Sequence, residues 1–218
     1  PLMENELIDW AKKELGGDIV VEKEATGDQN VVYKLQSSEG IYFLKIGSGL
    51  NKEVERLQWL EGKQPVPKVR AFINKGDIDG LLLSAVEGTN LKNVCHELGV
   101  EKTIDILVSA LQKLHETNIE NCPFGTKGEG RVLVHGDACL PNFIVKNGEL
   151  AGYIDLEDMR MDSSDVDLAA GVWSLRYNLG PGHGIPFLAK YGIESPTEEL
   201  EERLHAQYEQ MQEEWGLQ

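Results

Sequence analysis

Long apolar runs are missing. Nothing in the sequence approaches the roughly 18 consecutive apolar residues of a membrane-crossing helix. The start of the chain also lacks the basic-then-apolar pattern of a signal peptide. Pro1-Leu2 ahead of Met3 reads as a cloning scar and is set aside from the fold. Cysteine is scarce: Cys95, Cys122 and Cys139 form an odd, widely spaced set with no Cys-x-x-Cys pair and no metal-finger spacing. Free thiols in a reducing cytoplasm are therefore expected. Positive charge is sparse too, with 21 Lys and Arg against 37 Asp and Glu and a formal net charge of −16. That balance excludes nucleic acid as a partner, because phosphates need neutralisation by Lys and Arg. The same argument excludes an anionic membrane surface. An acidic surface can steer a cationic ligand, but it also keeps a protein soluble, so charge alone names no substrate.

What is present is a change of character partway along the chain. Glu4 to Leu15 carries Leu7, Ile8, Ala11 and Leu15 at helical spacing, stopped by Gly16-Gly17. Short β-like runs follow at residues 19–21, 31–35 and 41–46, a helix at 53–60, and strands at 68–73 and 81–83 around the turn Lys75-Gly76-Asp77. After Val86-Glu87-Gly88 the pattern becomes helical. Ile104, Leu107, Val108, Leu111 and Leu114 form a strong stripe, and further helices are expected near 166–177, 186–191 and 198–215. Between them, strands at 143–145 and 150–154 flank Asn147-Gly148, a strong hairpin signal. The expected architecture is α+β: a small antiparallel-sheet lobe over residues 1–86 and a mostly helical lobe over 87–218.

The chemistry concentrates between His135 and Asp155. Phosphoryl transfer needs positioning and charge neutralisation. One carboxylate must orient the attacking hydroxyl, and oxygen ligands must hold magnesium against the nucleotide phosphates. A loop with Asp137 and then Asn142, backed by a hairpin that delivers Asp155, supplies that set. Such an oxygen-only set suits magnesium better than zinc. A lone Asp in a loop is usually a turn former, so the combination carries the argument and no single residue does. His135 reads as a backbone-fixing histidine, and Asp167 as an acceptor of backbone N–H groups.

The run from His135 to Asp155 resembles the catalytic and metal-binding region of the aminoglycoside 3′-phosphotransferases, the kanamycin kinases. Segments at 31–35, 42–46, 59–69, 81–88, 114–124 and 167–172 resemble that family in the same order. The resemblance implies a bilobal protein-kinase-like fold, with the first lobe binding nucleotide and the second carrying catalysis and substrate. It implies ATP and Mg2+ as cofactors and transfer of the γ-phosphate to a hydroxyl of a small cationic molecule, conferring antibiotic resistance. Asp137 then matches the catalytic carboxylate, Asn142 and Asp155 the magnesium ligands, and Lys45 the lysine on the nucleotide phosphates. Glu53 matches the helix glutamate that pairs with it. Ser84 and Val86 match the backbone that meets the adenine, and Gly27-Asp28 lie in the loop over the phosphates. Oligomeric state is left open.

Two departures separate the chain from that family. Glu157 and Asp158 stand where the relatives carry Gly-Arg, which leaves three roles open: a solvated loop, help to the metals, or contact with a cationic substrate. Cys122-Pro123-Phe124 runs almost directly into Arg131, where the relatives have several dozen extra residues covering the aminoglycoside. Trp173, Tyr177 and Asn178 replace an arginine and acids, and Glu209 is the substrate candidate in the acidic last helix. These departures keep open a kinase for another hydroxyl compound, such as a macrolide, sugar or amino alcohol. A non-catalytic nucleotide-binding module is the more distant alternative, since Lys45, Asp137, Asn142 and Asp155 are all present.

Overall fold

The computed structural model describes residues 2–26 and 30–216; Gly27 and Asp28 lie outside the described residues. The chain divides into two compact units. One comprises Pro1–Gly62 and Val66–Val86, the other Lys63–Pro65 and Glu87–Gln218.

In the first unit, α1 (Leu2–Leu15) precedes β1 (Val20–Thr26), β2 (Asn30–Ser37) and β3 (Gly40–Gly47). Then come α2 (Asn51–Leu60), β4 (Val69–Lys75) and β5 (Ile78–Ser84). Leu2, set aside in the sequence, belongs to α1. The strands form one antiparallel sheet in the order β1-β2-β3-β5-β4. Alternation puts Leu44, Ile46, Tyr33, Leu35 and Leu82 on one face, where Leu7, Ala11 and Leu15 of α1 cover them. Lys45, between Leu44 and Ile46, falls on the other face. In α2 the positions 53, 57 and 60 share one stripe, so Glu53 is carried on the helix's buried face with Leu57 and Leu60. The start of α2 is pinned by Asp79, a buried carboxylate that accepts the Leu50 N–H at 2.9 Å and an Asn74 amide hydrogen at 2.6 Å. A carboxylate at a helix N-terminus also complements the helix dipole.

The second unit holds β6 (Thr89–Asn90), α3 (Leu91–Leu98), α4 (Val100–His115), β7 (Arg131–Val134), β8 (Phe143–Lys146) and β9 (Glu149–Tyr153). It ends with β10 (Arg160–Ser163), α5 (Asp165–Leu179), α6 (Gly184–Tyr191) and α7 (Glu198–Glu214). The α4 stripe is buried as its periodicity predicts. Each such Leu or Ile contributes about 1.5–3 kcal/mol of burial. Helix α5 is buried almost all round from Val166 to Leu175, the signature of a core helix. Strands β8 and β9 form the expected hairpin, with Asn147 and Gly148 both at positive φ, 53° and 74°. That is the backbone a two-residue hairpin turn with matching twist demands.

Three elements have no counterpart in the sequence reading. Helix α3 is short and capped by the Asn90 side chain, which accepts the Asn93 N–H at 3.1 Å. Strand β6 is a two-residue edge on β8. Strand β10 pairs antiparallel with β7. The short connector after Cys122 is tied to this pair: Phe124 O accepts the Met161 N–H at 3.0 Å, and Gly125 bridges Met161 in parallel.

Candidate active site

The first unit contributes a buried ion pair. Lys45 Nζ lies 2.6 Å from Glu53 Oε1, with side chains 9% and 1% exposed. Strand alternation and the helical stripe of α2 bring the two together, while Glu55 is exposed. Ser84 ends β5 with its N–H donated to Lys68 O at 3.0 Å, while its Oγ accepts the Lys68 N–H at 2.9 Å.

In the second unit, β7 leads into His135-Gly136-Asp137, and long-range hydrogen bonds hold this loop. Asp167, in the first turn of α5 and fully buried, accepts the His135 N–H on Oδ2 at 2.8 Å and the Gly136 N–H on Oδ1 at 3.0 Å. His115 of α4 adds its Nε2 to Asp167 Oδ2 at 2.8 Å, and its Nδ1 meets the Tyr191 hydroxyl at 2.7 Å. Asp167 thus does the backbone-accepting work expected of it. Gly136 has φ +91° and stands against the Asp158 carbonyl, where a Cβ would lie 2.4 Å from the oxygen. No other residue fits there.

His135 links the loop to the hairpin. Its Nδ1 accepts the Asp137 N–H at 3.1 Å, so its proton sits on Nε2, which donates to Ile154 O at 2.8 Å. This is the structural histidine foreseen in the sequence. Next along, the Ile154 N–H donates to Asn142 O at 3.0 Å, which seats Asp155 one residue from a direct link to Asn142. Asp155 itself has φ 57°, a costly backbone state for a residue other than glycine and one that clusters at functional sites. Asn142 Nδ2 donates to Asp137 O at 2.8 Å and lies 3.3 Å from Asp137 Oδ2. Both partners accept, so the amide nitrogen is fixed on that side and Oδ1 is turned away from Asp137. An amide oxygen such as Asn142 Oδ1 and a carboxylate such as that of Asp155 are hard oxygen donors of the kind magnesium takes.

The other Asp137 oxygen meets a residue that the sequence did not single out. Tyr208 Oη donates to Asp137 Oδ1 at 2.6 Å. Cys139 Sγ donates in turn to Tyr208 Oη at 3.1 Å. Burial, followed by the nearby Asp137 charge, pushes the Cys139 thiol well above its usual range. All three cysteines are free and buried, so Cys139 adjoins the site as an inert thiol. Glu209, the acid expected to serve the substrate from this helix, is exposed and pairs with His205 at 3.1 Å. One residue along a helix is a rotation of about 100°, and it is the neighbour Tyr208 that faces inward. Glu157 and Asp158 are half-buried on the loop that packs against Gly136, and the Asp158 carbonyl accepts from Arg160 Nη1 at 2.9 Å.

The phosphotransferase enzyme family's sequence pattern matches residues 23–130 and 126–206. The chain belongs to that family and is a phosphotransferase. Among its relatives, the aminoglycoside 3′-phosphotransferase of Niallia circulans is 25% identical, with 77% of this chain and 83% of the relative covered. One from Escherichia coli is 26% identical over 71% of this chain and 75% of its own. Two solved structures share the fold. A type VIII aminoglycoside-3′-phosphotransferase superposes with a TM-score of 0.73 at 22% identity, covering 92% of this chain and 96% of the other. The enzyme of Streptomyces rimosus in complex with ADP and streptomycin reaches 0.75 at 22% identity, covering 92% and 95%. The fold is the protein-kinase-like one of aminoglycoside phosphotransferases, α+β with an antiparallel sheet first and helices later. Among the described residues, no helix is long and apolar enough to cross a membrane.

Proposed function

We propose that this chain transfers the γ-phosphate of ATP to a hydroxyl group of an aminoglycoside, acting in the cytoplasm on a small cationic substrate. The observation that carries the reading is the grip on Asp137, whose loop is fixed by Asp167, His135 and Asn142 in a family of phosphotransferases. Asp137 receives the acceptor hydroxyl and directs its oxygen to the phosphate. Asn142 Oδ1 and Asp155 would hold magnesium, which when bound neutralises charge on the nucleotide phosphates. Lys45, steadied by Glu53, supplies positive charge to the same phosphates. Ser84 offers the adenine its carbonyl, since its N–H is committed to Lys68, and Val86 offers its N–H. Glu157 and Asp158 supply negative charge for a cationic acceptor.

A second reading keeps this chemistry and changes the acceptor to another hydroxyl compound. It is favoured by the connector between Cys122 and Arg131, a short segment pinned to β10. Both readings meet one experiment: magnesium-dependent ATP consumption over a panel of aminoglycosides, macrolides, sugars and amino alcohols. Asp137→Ala should lose roughly 10²–10⁴-fold in turnover, the size of a general-base effect, while still binding nucleotide and folding. A variant that retains a tenth or more of wild-type turnover removes Asp137 from the mechanism. An acceptor-independent rate over the whole panel removes the kinase reading.

A further inference from the structure

The hydroxyl of Tyr208 occupies a place that phosphate chemistry alone does not call for. It bonds to Asp137 Oδ1 at 2.6 Å and receives the Cys139 thiol at 3.1 Å. Burial, with Cys139 and Asp137 beside it, holds the phenol far above its ordinary range, so the O–H keeps its proton and acts as a donor to the carboxylate. The ring has nowhere to go. Tyr208 is 4% exposed, with Trp173 at 5.0 Å between centroids and tilted 41°, and Trp215 edge-on at 6.2 Å. The helix that carries it is clamped as well. Thr197 caps α7 by accepting the Leu200 N–H at 3.1 Å, and Arg176 of α5 reaches Glu201 at 3.0 Å and Glu202 at 2.5 Å.

On the far side of the same carboxylate stands Asn142 Nδ2, 3.3 Å from Oδ2. Tyr208 and Asn142 therefore donate to different Asp137 oxygens, and donors on both oxygens fix the rotamer and the plane of the group. An ionised carboxylate offers about four lone-pair sites, more than these two donors occupy, which leaves room for an incoming hydroxyl.

We propose that Tyr208 is a positioning residue for phosphate transfer, its hydroxyl holding the Asp137 carboxylate in the orientation that receives the acceptor. The proposal rests on the reading of Asp137 as the catalytic carboxylate. It also assigns α7 a role: the last helix steers the catalytic group from behind through an aromatic donor.

Tyr208→Phe separates this role from core packing, because it keeps the ring against Trp173 and Trp215 and removes only the oxygen. The expected result is a kcat reduced roughly tenfold or more, the scale of one hydrogen bond to a charged group. The KM for ATP should stay within about twofold and the melting temperature should hold. Tyr208→Leu should lose both kcat and thermal stability. A folded Tyr208→Phe protein with wild-type kcat overturns the proposal. NMR of aspartate labelled at the side-chain carboxyl carbon reads the contact with no acceptor present. The Asp137 resonance, identified by its loss in Asp137→Asn, should be displaced in Tyr208→Phe, and an unmoved resonance also overturns the proposal. A displaced resonance in a chain that phosphorylates nothing on the panel supports the contact and refutes the functional reading on which it was built.

Discussion

The Lys45–Glu53 pair and the Asp137 loop present two ways of burying charge for a phosphotransferase. The first sets one side chain against another on regular elements: a strand position and a helix position, each dictated by its own periodicity. The second takes an irregular loop and hangs its backbone from a side chain, with Asp167 accepting two loop N–H groups and meeting His115. The difference lies in what can be substituted. Two side chains can be replaced together, so the ionic pair is separable from the packing around it. Backbone N–H groups cannot be mutated away, so nothing compensates for the loss of their acceptor.

Predictions follow that contrast. Lys45→Met should cost about 3–5 kcal/mol, because it leaves Glu53 buried without the cation. The double variant Lys45→Met with Glu53→Met should recover most of that stability while nucleotide binding stays weak. Chemical denaturation with nucleotide titration checks both halves, and a double variant no more stable than the single one would erase the distinction. Asp167→Ala should cost about 3 kcal/mol from stranded buried donors, or roughly 10 °C in melting temperature for a chain this size. No second substitution at His115 should restore it; full rescue there would mean that the backbone bonds contribute little.

The most gradual effect concerns pH. Burial raises Cys139, Tyr208 and Tyr153 in the folded state. Unfolded thiols ionise near about 8.5 and tyrosines near about 10. The folded protein keeps protons that the unfolded chain releases, so stability is complete below about 8.5 and falls as pH rises past each unfolded value. Stability, read as melting temperature, should decline between pH 8 and 10.5, by about 1.4 kcal/mol per pH unit for each group past its unfolded value. The decline should be shallower in Tyr208→Phe. A flat profile would place these groups in water.

The sequence was most readable where one element carried the message. Period-two strands, the α4 stripe and the Asn147-Gly148 turn all appear where local pattern put them. Strand β10, Arg160–Ser163, carries a single apolar residue and exists only because β7 pairs with it. Helix α3 offered a readable signal in its Asn90 cap and its Leu91, Val94, Cys95 and Leu98 spacing, but its eight residues are a weak stretch of pattern. In the site, Asp167 and His135 could be inferred from their residue types at a tight loop. Tyr208 could not: on a stripe with Leu204, a tyrosine reads as core, and its partner lies 71 residues earlier. Glu209, next to it on the same helix, drew notice by its charge, yet it faces outward while Tyr208 faces Asp137.

Gly136 has a bearing on how the two loops move. Its missing side chain lets the Asp158 carbonyl come to where a Cβ would stand 2.4 Å away. The Asp137 loop and the segment after Asp155 therefore interlock where the main chain of one meets the carbonyl and Cβ of the other. The contact is made by the Asp158 carbonyl and Cβ, atoms that every residue but glycine carries, so it does not depend on the acid group of Asp158. A shift in the path of either loop is transmitted to the other. The two segments therefore move as one unit, and a side chain introduced at Gly136 displaces both.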